Sequence, residues 1–244
     1  MTDTLEVSGQ SIAYRHNPGT GAETGPAIVF LPGYMSDMAG GKATATFDWC
    51  TARGRECLLL DYSGCGMSSG DFADGTLSGW RDEVLAVIDT KVASDRVIIA
   101  GSSMGGWLML MVGRELGGRL HALVGIAAAP DFTDWGFDET QKAQLRAGET
   151  IFEDSDYGYD PMPTHARFWH DGEANRQLTA IIPITCPVRL LHGQEDRDVP
   201  SETSLRLAAA LASEDVQVTL VKGGDHRLSR DTDIALLLQT YATL

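Results

Sequence analysis

The chain has 244 residues, of which 43% are hydrophobic and 22% charged; these are ordinary values for a single α/β-sized domain and exclude a disordered, collagen-like or coiled-coil chain. Nineteen Lys+Arg against 34 Asp+Glu leave a net charge of −15, a field that repels phosphate backbones and anionic membranes, so nucleic acid is not an expected partner. The longest apolar runs fall well short of the ~18–20 residues that span a bilayer, so no stable membrane insertion is expected.

In chain order, Leu5 to Arg15 reads as two short strands around Ser8-Gly9, followed by a Gly- and Pro-rich loop from Pro18 to Pro26. Ala27 to Leu31 is a continuous apolar run, the pattern of a strand buried on both faces of a parallel sheet. Runs of the same kind follow at Cys57–Leu60, Val97–Ala100, Leu123–Ala127, Val188–Leu191 and Val216–Val221. Between them lie helical patterns at 41–53, 77–92, 104–116, 201–212 and 231–243, the last two each opening on a Ser or Asp able to cap. Strands alternating with helices predict an α/β fold with a mostly parallel central sheet and helices on both faces. Residues 131 to about 180 break the alternation and contain no strand-like run. The expected organisation is therefore a core of 1–130 and 181–244 with a lid or cap inserted at 131–180.

Gly101-Ser102-Ser103-Met104-Gly105 follows a buried strand and precedes a helix, the setting that gives Gly-x-Ser-x-Gly its chemical meaning. Side chains at the flanking glycines would collide with neighbouring elements, while the sharp turn lifts the Ser103 hydroxyl above the sheet edge. Ser102 competes as a hydroxyl, but only Ser103 has glycine at both −2 and +2.

A neutral serine needs a base, and the base an orienting acid. In hydrolases with this turn the chain order is Ser, acid, His. His16 precedes the turn, His121 lies in the next helix-to-strand connection, His165 and His170 lie in the insertion, and His192 ends a buried strand, a structural position. His226 alone follows the last predicted strand, in Gly223-Gly224-Asp225-His226-Arg227, at the sheet edge where α/β sites gather. The preceding loop, His192 to Pro200, offers Glu195, Asp196 and Asp198 as acids, and spacing does not choose among them. An oxyanion hole requires two backbone N–H groups. One is that of Met104, after the nucleophile; the other is expected from Tyr34, because Gly33 lets that loop approach the substrate closely.

Four segments in order now carry a resemblance: Leu31-Pro32-Gly33-Tyr34, Asp61 to Ser68, the Ser103 turn, and His192 to Pro200. The chain resembles serine hydrolases of the α/β-hydrolase fold over essentially its whole length. Within them it is most similar to the α/β-hydrolase domain-containing protein 10 group of acyl-protein thioesterases and acyl-glucuronide esterases, visible in Asp61-Tyr62-Ser63-Gly64, in Gly101 to Leu110 and in Asp225-His226-Arg227. The resemblance implies that Asp196 is the acid and His226 the base, in the pattern His-Gly-x-x-Asp-x-x-Val-Pro. Many members of the wider family carry His-Gly at the oxyanion strand; Pro32 stands there here, as in the subgroup.

The implied activity is hydrolysis of carboxylic esters or thioesters with an apolar acyl group, through an acyl-enzyme, with no cofactor or metal. The expected substrate is a small-molecule ester or thioester, or an acylated protein. Competing readings are a monoacylglycerol lipase or lysophospholipase-like esterase, disfavoured by the lack of a strongly amphipathic surface helix, and a non-catalytic binding protein, disfavoured by the intact Ser/Asp/His set. The leading Met1 to Glu6 is acidic and lacks a basic or apolar leader region, so the expected compartment is cytoplasmic. Cys50, Cys57, Cys65 and Cys186 form no Cys-x-x-Cys pair and fit neither a disulfide framework nor a zinc site. Nothing in the sequence signals a particular oligomeric state.

The insertion is rich in aromatics (Phe132, Trp135, Phe137, Phe152, Tyr157, Tyr159, Phe168 and Trp169). Trp135 and Phe168 are expected to line an acyl or aryl pocket together with Trp107 and Met38. Over 131–160, nine acids against two bases give −7, nearly half of the net charge. This predicts a negative mouth that disfavours polyanionic substrates.

Overall fold

The structure, a computed structural model, describes residues 1–21, 25–154 and 161–244. Its elements in chain order are β1 (Asp3–Val7), β2 (Gln10–Asn17), β3 (Ala27–Leu31), α1 (Gly41–Arg53), β4 (Cys57–Leu60), α2 (Leu77–Lys91), β5 (Val97–Ser102), α3 (Met104–Leu116) and β6 (Leu120–Ile126). The second half holds α4 (Phe132–Trp135), α5 (Glu139–Arg146), β7 (Ile151–Glu153), β8 (Met162–Thr164), α6 (Ala166–Ala174), β9 (Val188–Gly193), α7 (Glu202–Ala210), β10 (Val216–Val221) and α8 (Asp231–Ala242).

Eight strands form one sheet in the order β1-β2-β4-β3-β5-β6-β9-β10. The first hairpin is antiparallel, β2 joins β4 antiparallel, and every pairing from β4 to β10 is parallel. The apolar runs explain this. Every residue of β3, β4 and β5 is buried, as strands covered by helices on both faces must be. One layer, α1 and α8, packs Cys50, Leu237 and Tyr241 against the sheet. The other, α2, α3 and α7, brings Trp80, Val84, Leu108 and Leu207. Helix α3 runs against the centre of the sheet and is buried over nearly its whole circumference, as a helix apolar on all sides requires.

Register sets the site. Leu31 pairs with Gly101, Ser102 with Ile126, Ile126 with Leu191 and Gly193 with Val221. The carboxyl ends of β3, β5, β6, β9 and β10 therefore lie side by side, and the five loops that leave them share one edge of the sheet.

Three sequence expectations change. Strand β6 begins at Leu120, because Leu120 pairs with Val97 of β5 before the fully apolar stretch starts. The segment 131–180 does contain strands: β7 and β8 form a separate antiparallel pair, Ile151 opposite Thr164 and Glu153 opposite Met162. Helix α7 is preceded by Ser201, whose side chain makes no capping bond, and α8 is capped by Asp233, which accepts from the Arg230 N–H.

The excursion between β6 and β9 is fastened to the core. Phe168 of α6 is 1% exposed within the main core, while Phe137, Leu145, Ile151 and Trp169 make a small core of their own. At its neck, buried Asp131 accepts the N–H groups of Gln177 and Leu178 at 2.7 and 2.8 Å. No helix among the described residues is long and apolar enough to cross a membrane.

Candidate active site

Ser103 sits between β5 and α3 at φ 55° and ψ −120°. A non-glycine residue there is strained, and the surroundings hold it. A Cβ on Gly101 would lie 2.1 Å from the Gly105 carbonyl oxygen, and one on Gly105 would lie 2.2 Å from that of Leu31. The glycines at −2 and +2 thus exist for close approach of backbone to backbone. The Ser103 N–H donates to the Ile126 carbonyl at 2.9 Å and its carbonyl accepts from Ala129 at 3.0 Å, tying the turn to β6.

The structure brings the Ser103 hydroxyl together with His226 and Asp196. Ser103 Oγ is 3.1 Å from His226 Nε2, and His226 Nδ1 is 2.9 Å from Asp196 Oδ2. The His226 side chain keeps 17% exposure while that of Asp196 has none, so the imidazole is reachable and the carboxylate is not. Asp196 Oδ1 accepts the N–H groups of Asp198 at 3.0 Å and Val199 at 2.8 Å. Burial alone would raise its pKa. Hydrogen bonds from His192 and His226, the His226 charge and the Val199 N–H outweigh burial and hold the carboxyl well below the usual carboxylate range.

From α1, the Lys42 ammonium donates to the Arg227 carbonyl, beside His226. Burial, with Arg227 adding to it, lowers the Lys42 pKa to about 8. Other histidines are engaged elsewhere: His16 with Glu56 at 3.0 Å, His121 with the Leu244 carbonyl at 2.9 Å, His165 with Thr150 at 3.0 Å, and His170 against the Trp169 ring.

The loop after β3 approaches Ser103 closely. A Cβ on Gly33 would lie 3.3 Å from both the Ser102 carbonyl oxygen and Ser103 Cβ. Met104, as the first residue of α3, has no carbonyl one turn back to receive its N–H. The Tyr34 side chain does more than the sequence suggested. Its hydroxyl donates to the Pro163 carbonyl in β8 at 3.0 Å, and its ring packs at 4.8–5.9 Å from Phe72, Phe132 and Phe168.

The four residues expected to line a pocket separate. Phe168 and Trp107 both contact Phe132, at 5.7 Å each, in this aromatic cluster, and are essentially buried. Trp135 is half-buried, its indole N–H donating to the Pro130 carbonyl at 2.8 Å, one residue from the Ala129 that holds Ser103. Met38 does not join them. Its N–H donates to Asp61 Oδ1 at 2.7 Å, which turns it into the core under α1, and it borders a cavity of about 470 Å³ shared with Arg15, Asp61 and Met67.

The acidic face is also thinner than the sequence count. Asp131 is buried at the neck, and Asp134 pairs at 2.5 Å with Arg176, which lies outside the counted stretch. Tyr157, Tyr159, Asp156 and Asp160 lie outside the described residues. Among the described residues, one grouping of ligand-type atoms converges, Asp196, Asp198 and His226, within 4.8 Å. Both ring nitrogens of His226 are already committed, to Asp196 and Ser103, so a cation there would dismantle the hydrogen-bonded chain.

Comparison with known proteins gives a consistent picture. Residues 28–236 match the model of the Alpha/beta hydrolase family. The curated "Palmitoyl-protein thioesterase ABHD10, mitochondrial" of Mus musculus is 41% identical over 225 residues, covering 90% of this chain and 75% of that protein. Among solved structures, a putative hydrolase from Agrobacterium vitis S4 superposes with a TM-score of 0.91 at 36% identity, over 100% of this chain and 98% of that one. Mouse alpha/beta hydrolase domain-containing protein 10 gives 0.90 at 37% identity, over 100% and 97%.

Proposed function

This chain belongs to the alpha/beta hydrolase family, and from that premise we propose that it is a serine hydrolase cleaving thioesters or carboxylic esters of apolar acyl groups through an acyl-enzyme. The observation that carries the reading is the continuous chain from Ser103 Oγ to His226 at 3.1 Å and on to Asp196 at 2.9 Å, built on a strained strand-to-helix turn.

In this reading Ser103 attacks the acyl carbonyl as His226 Nε2 takes its proton. Asp196 fixes the Nδ1–H tautomer and stabilises the imidazolium. The N–H groups of Met104 and Tyr34 receive the oxyanion, aided by the positive end of α3. His226 then protonates the departing thiolate or alkoxide, and a water repeats the sequence to release the acid. No metal or cofactor enters these steps.

An acylated protein is the substrate class that the named relatives favour, since those at 38–41% identity are palmitoyl-protein thioesterases. The 131–180 segment acts as the lid, and the aromatic cluster of Tyr34, Phe132 and Phe168 supports an apolar acyl site beneath it. The exposed acids that remain on that segment disfavour polyanionic leaving groups. The cytoplasmic setting is carried in the same proposal. The four cysteines are free, which suits a reducing compartment; the mouse relative bears the word mitochondrial in its name. Cell fractionation tests the compartment.

The test of the activity is a fluorophosphonate probe together with an S-palmitoyl peptide. Labelling that maps to Ser103 and hydrolysis that is lost with that labelling are expected. Absence of labelling on folded protein refutes the reading.

A further inference from the structure

Beside the proposed relay stands a buried titratable side chain that the steps above do not use. His192, the penultimate residue of β9, has no exposed surface. Its ring nevertheless reaches the same carboxylate oxygen that His226 uses. His192 Nε2 is 3.2 Å from Asp196 Oδ2 and 3.0 Å from the Val199 carbonyl oxygen. Both neighbours are acceptors, so the proton must be on Nε2, because a bare lone pair there would face two negative groups. The opposite side of the ring agrees. His192 Nδ1 is 2.7 Å from Ser204 Oγ of α7, and that hydroxyl donates to a bare nitrogen.

We propose that His192 is a positioning residue of the hydrolase: its Nε2–H, with the tautomer set by Ser204, fixes Asp196 Oδ2 at the point where His226 Nδ1 meets it. The inference rests on the relay reading given above. The backbone N–H groups of Asp198 and Val199 hold only Oδ1. Without His192, Oδ2 is held by His226 alone, a residue on a loop. With it, the acid is referred to β9 and α7, which are packed elements. The donor also shares the charge of Asp196, so removing it leaves that charge to His226 alone.

The other charged groups around His226 stay in place when His192 is replaced. They are Asp198, within 4.8 Å of His226, Asp225 and Arg227 next to it in the chain, and Lys42 of α1, which donates to the Arg227 carbonyl.

Three measurements test this. In protein with ¹⁵N-labelled histidine, the His192 signals should report a protonated Nε2 and a bare Nδ1; a protonated Nδ1 overturns the proposal whatever the turnover. His192→Leu should lower kcat/KM by about tenfold, the scale for losing a hydrogen bond to a charged group, and move the acidic limb of its pH profile upward. His192→Gln, whose amide N–H can replace Nε2–H, should restore both in large part. Should the Leu variant not fold, Ser204→Ala keeps the ring and is expected to shift the limb in the same direction by less. A role in packing alone predicts lost folded protein and an unmoved limb in both variants, and that result overturns the proposal. Wild-type protein that folds yet leaves Ser103 unlabelled by fluorophosphonate refutes the relay itself; labelling with an unmoved limb refutes only the role of His192.

Discussion

Asp196→Asn is the substitution that most directly interrogates the relay. The carboxylate accepts four hydrogen bonds, two backbone N–H groups on Oδ1 and two imidazole nitrogens on Oδ2. An amide can serve only one pair. With its oxygen toward Asp198 and Val199, its NH₂ faces His192 Nε2–H and His226, so His226 must turn its bare nitrogen inward and carry the proton on Nε2, where it can no longer accept from Ser103. With the amide reversed, the NH₂ opposes two backbone donors. Either way two bonds to a buried charge are lost, each worth about 1.5–3 kcal/mol, and the wrong tautomer costs on the order of 10⁴ in kcat. The assay is steady-state hydrolysis of a p-nitrophenyl ester, with the rate of Ser103 labelling by fluorophosphonate as a second readout. Asp198→Asn, at an exposed position, is the control and should stay close to wild type. Turnover of the Asp196 variant within tenfold of wild type, or a larger loss in the Asp198 variant, refutes the reasoning.

Ser103→Ala should lower kcat by about 10⁶ while leaving the thermal midpoint near wild type; substantial retained turnover on p-nitrophenyl esters removes the nucleophile. Gly105→Ala must push apart backbone atoms that leave it 2.2 and 2.4 Å, at a cost of about 1–3 kcal/mol, and should abolish labelling, whereas Gly118→Ala meets nothing within 4 Å and serves as the control; equal labelling of the two refutes the elbow packing. Tyr34→Phe keeps the ring but loses the bond to Pro163, about 1 kcal/mol, so the thermal midpoint should fall by about 2–4 °C, and an unchanged midpoint argues that the contact carries nothing. Because the folded state holds Asp196 below its ordinary pKa of about 3.9, its contribution is fully present above that value and is lost as the pH falls through the lower folded one. Urea unfolding should therefore show the stability gap between wild type and Asp196→Asn narrowing below about pH 4; a constant gap contradicts the sign.

The readable parts of the sequence are those in which one residue's environment is set by its near neighbours. The continuous runs at Ala27–Leu31 and Val97–Ala100 announce strands buried on both faces, and helices α1 and α3 begin and end where the pattern does. Ser103 was readable because its strain demands glycine on both sides. His226 was readable because chain order eliminates the others. What stayed hidden depends on long-range geometry. Strands β7 and β8 are three residues each, too short for periodicity. Met38 is turned away by Asp61, 23 positions along the chain, a bond no local pattern announces. His192 reads as structural because it stands at the end of a buried strand; its spacing of four residues from Asp196 is the available signal that it does more.

Asp131 has a meaning beyond the local bonds it makes. By accepting the N–H groups of Gln177 and Leu178, it clasps together the two ends of an excursion that leaves β6 and returns before β9. Most of the closure entropy is then spent at the clasp, and length added beyond it is cheap, on the order of 0.6 kcal/mol for each doubling. The 131–177 stretch behaves as a cartridge latched at its neck and seated on the core through Phe168 and the Tyr34–Pro163 bond. Its tip can be rewritten in length and chemistry, and so can whatever selection it exerts on substrates, while the registers that align Ser103, Asp196 and His226 are left alone.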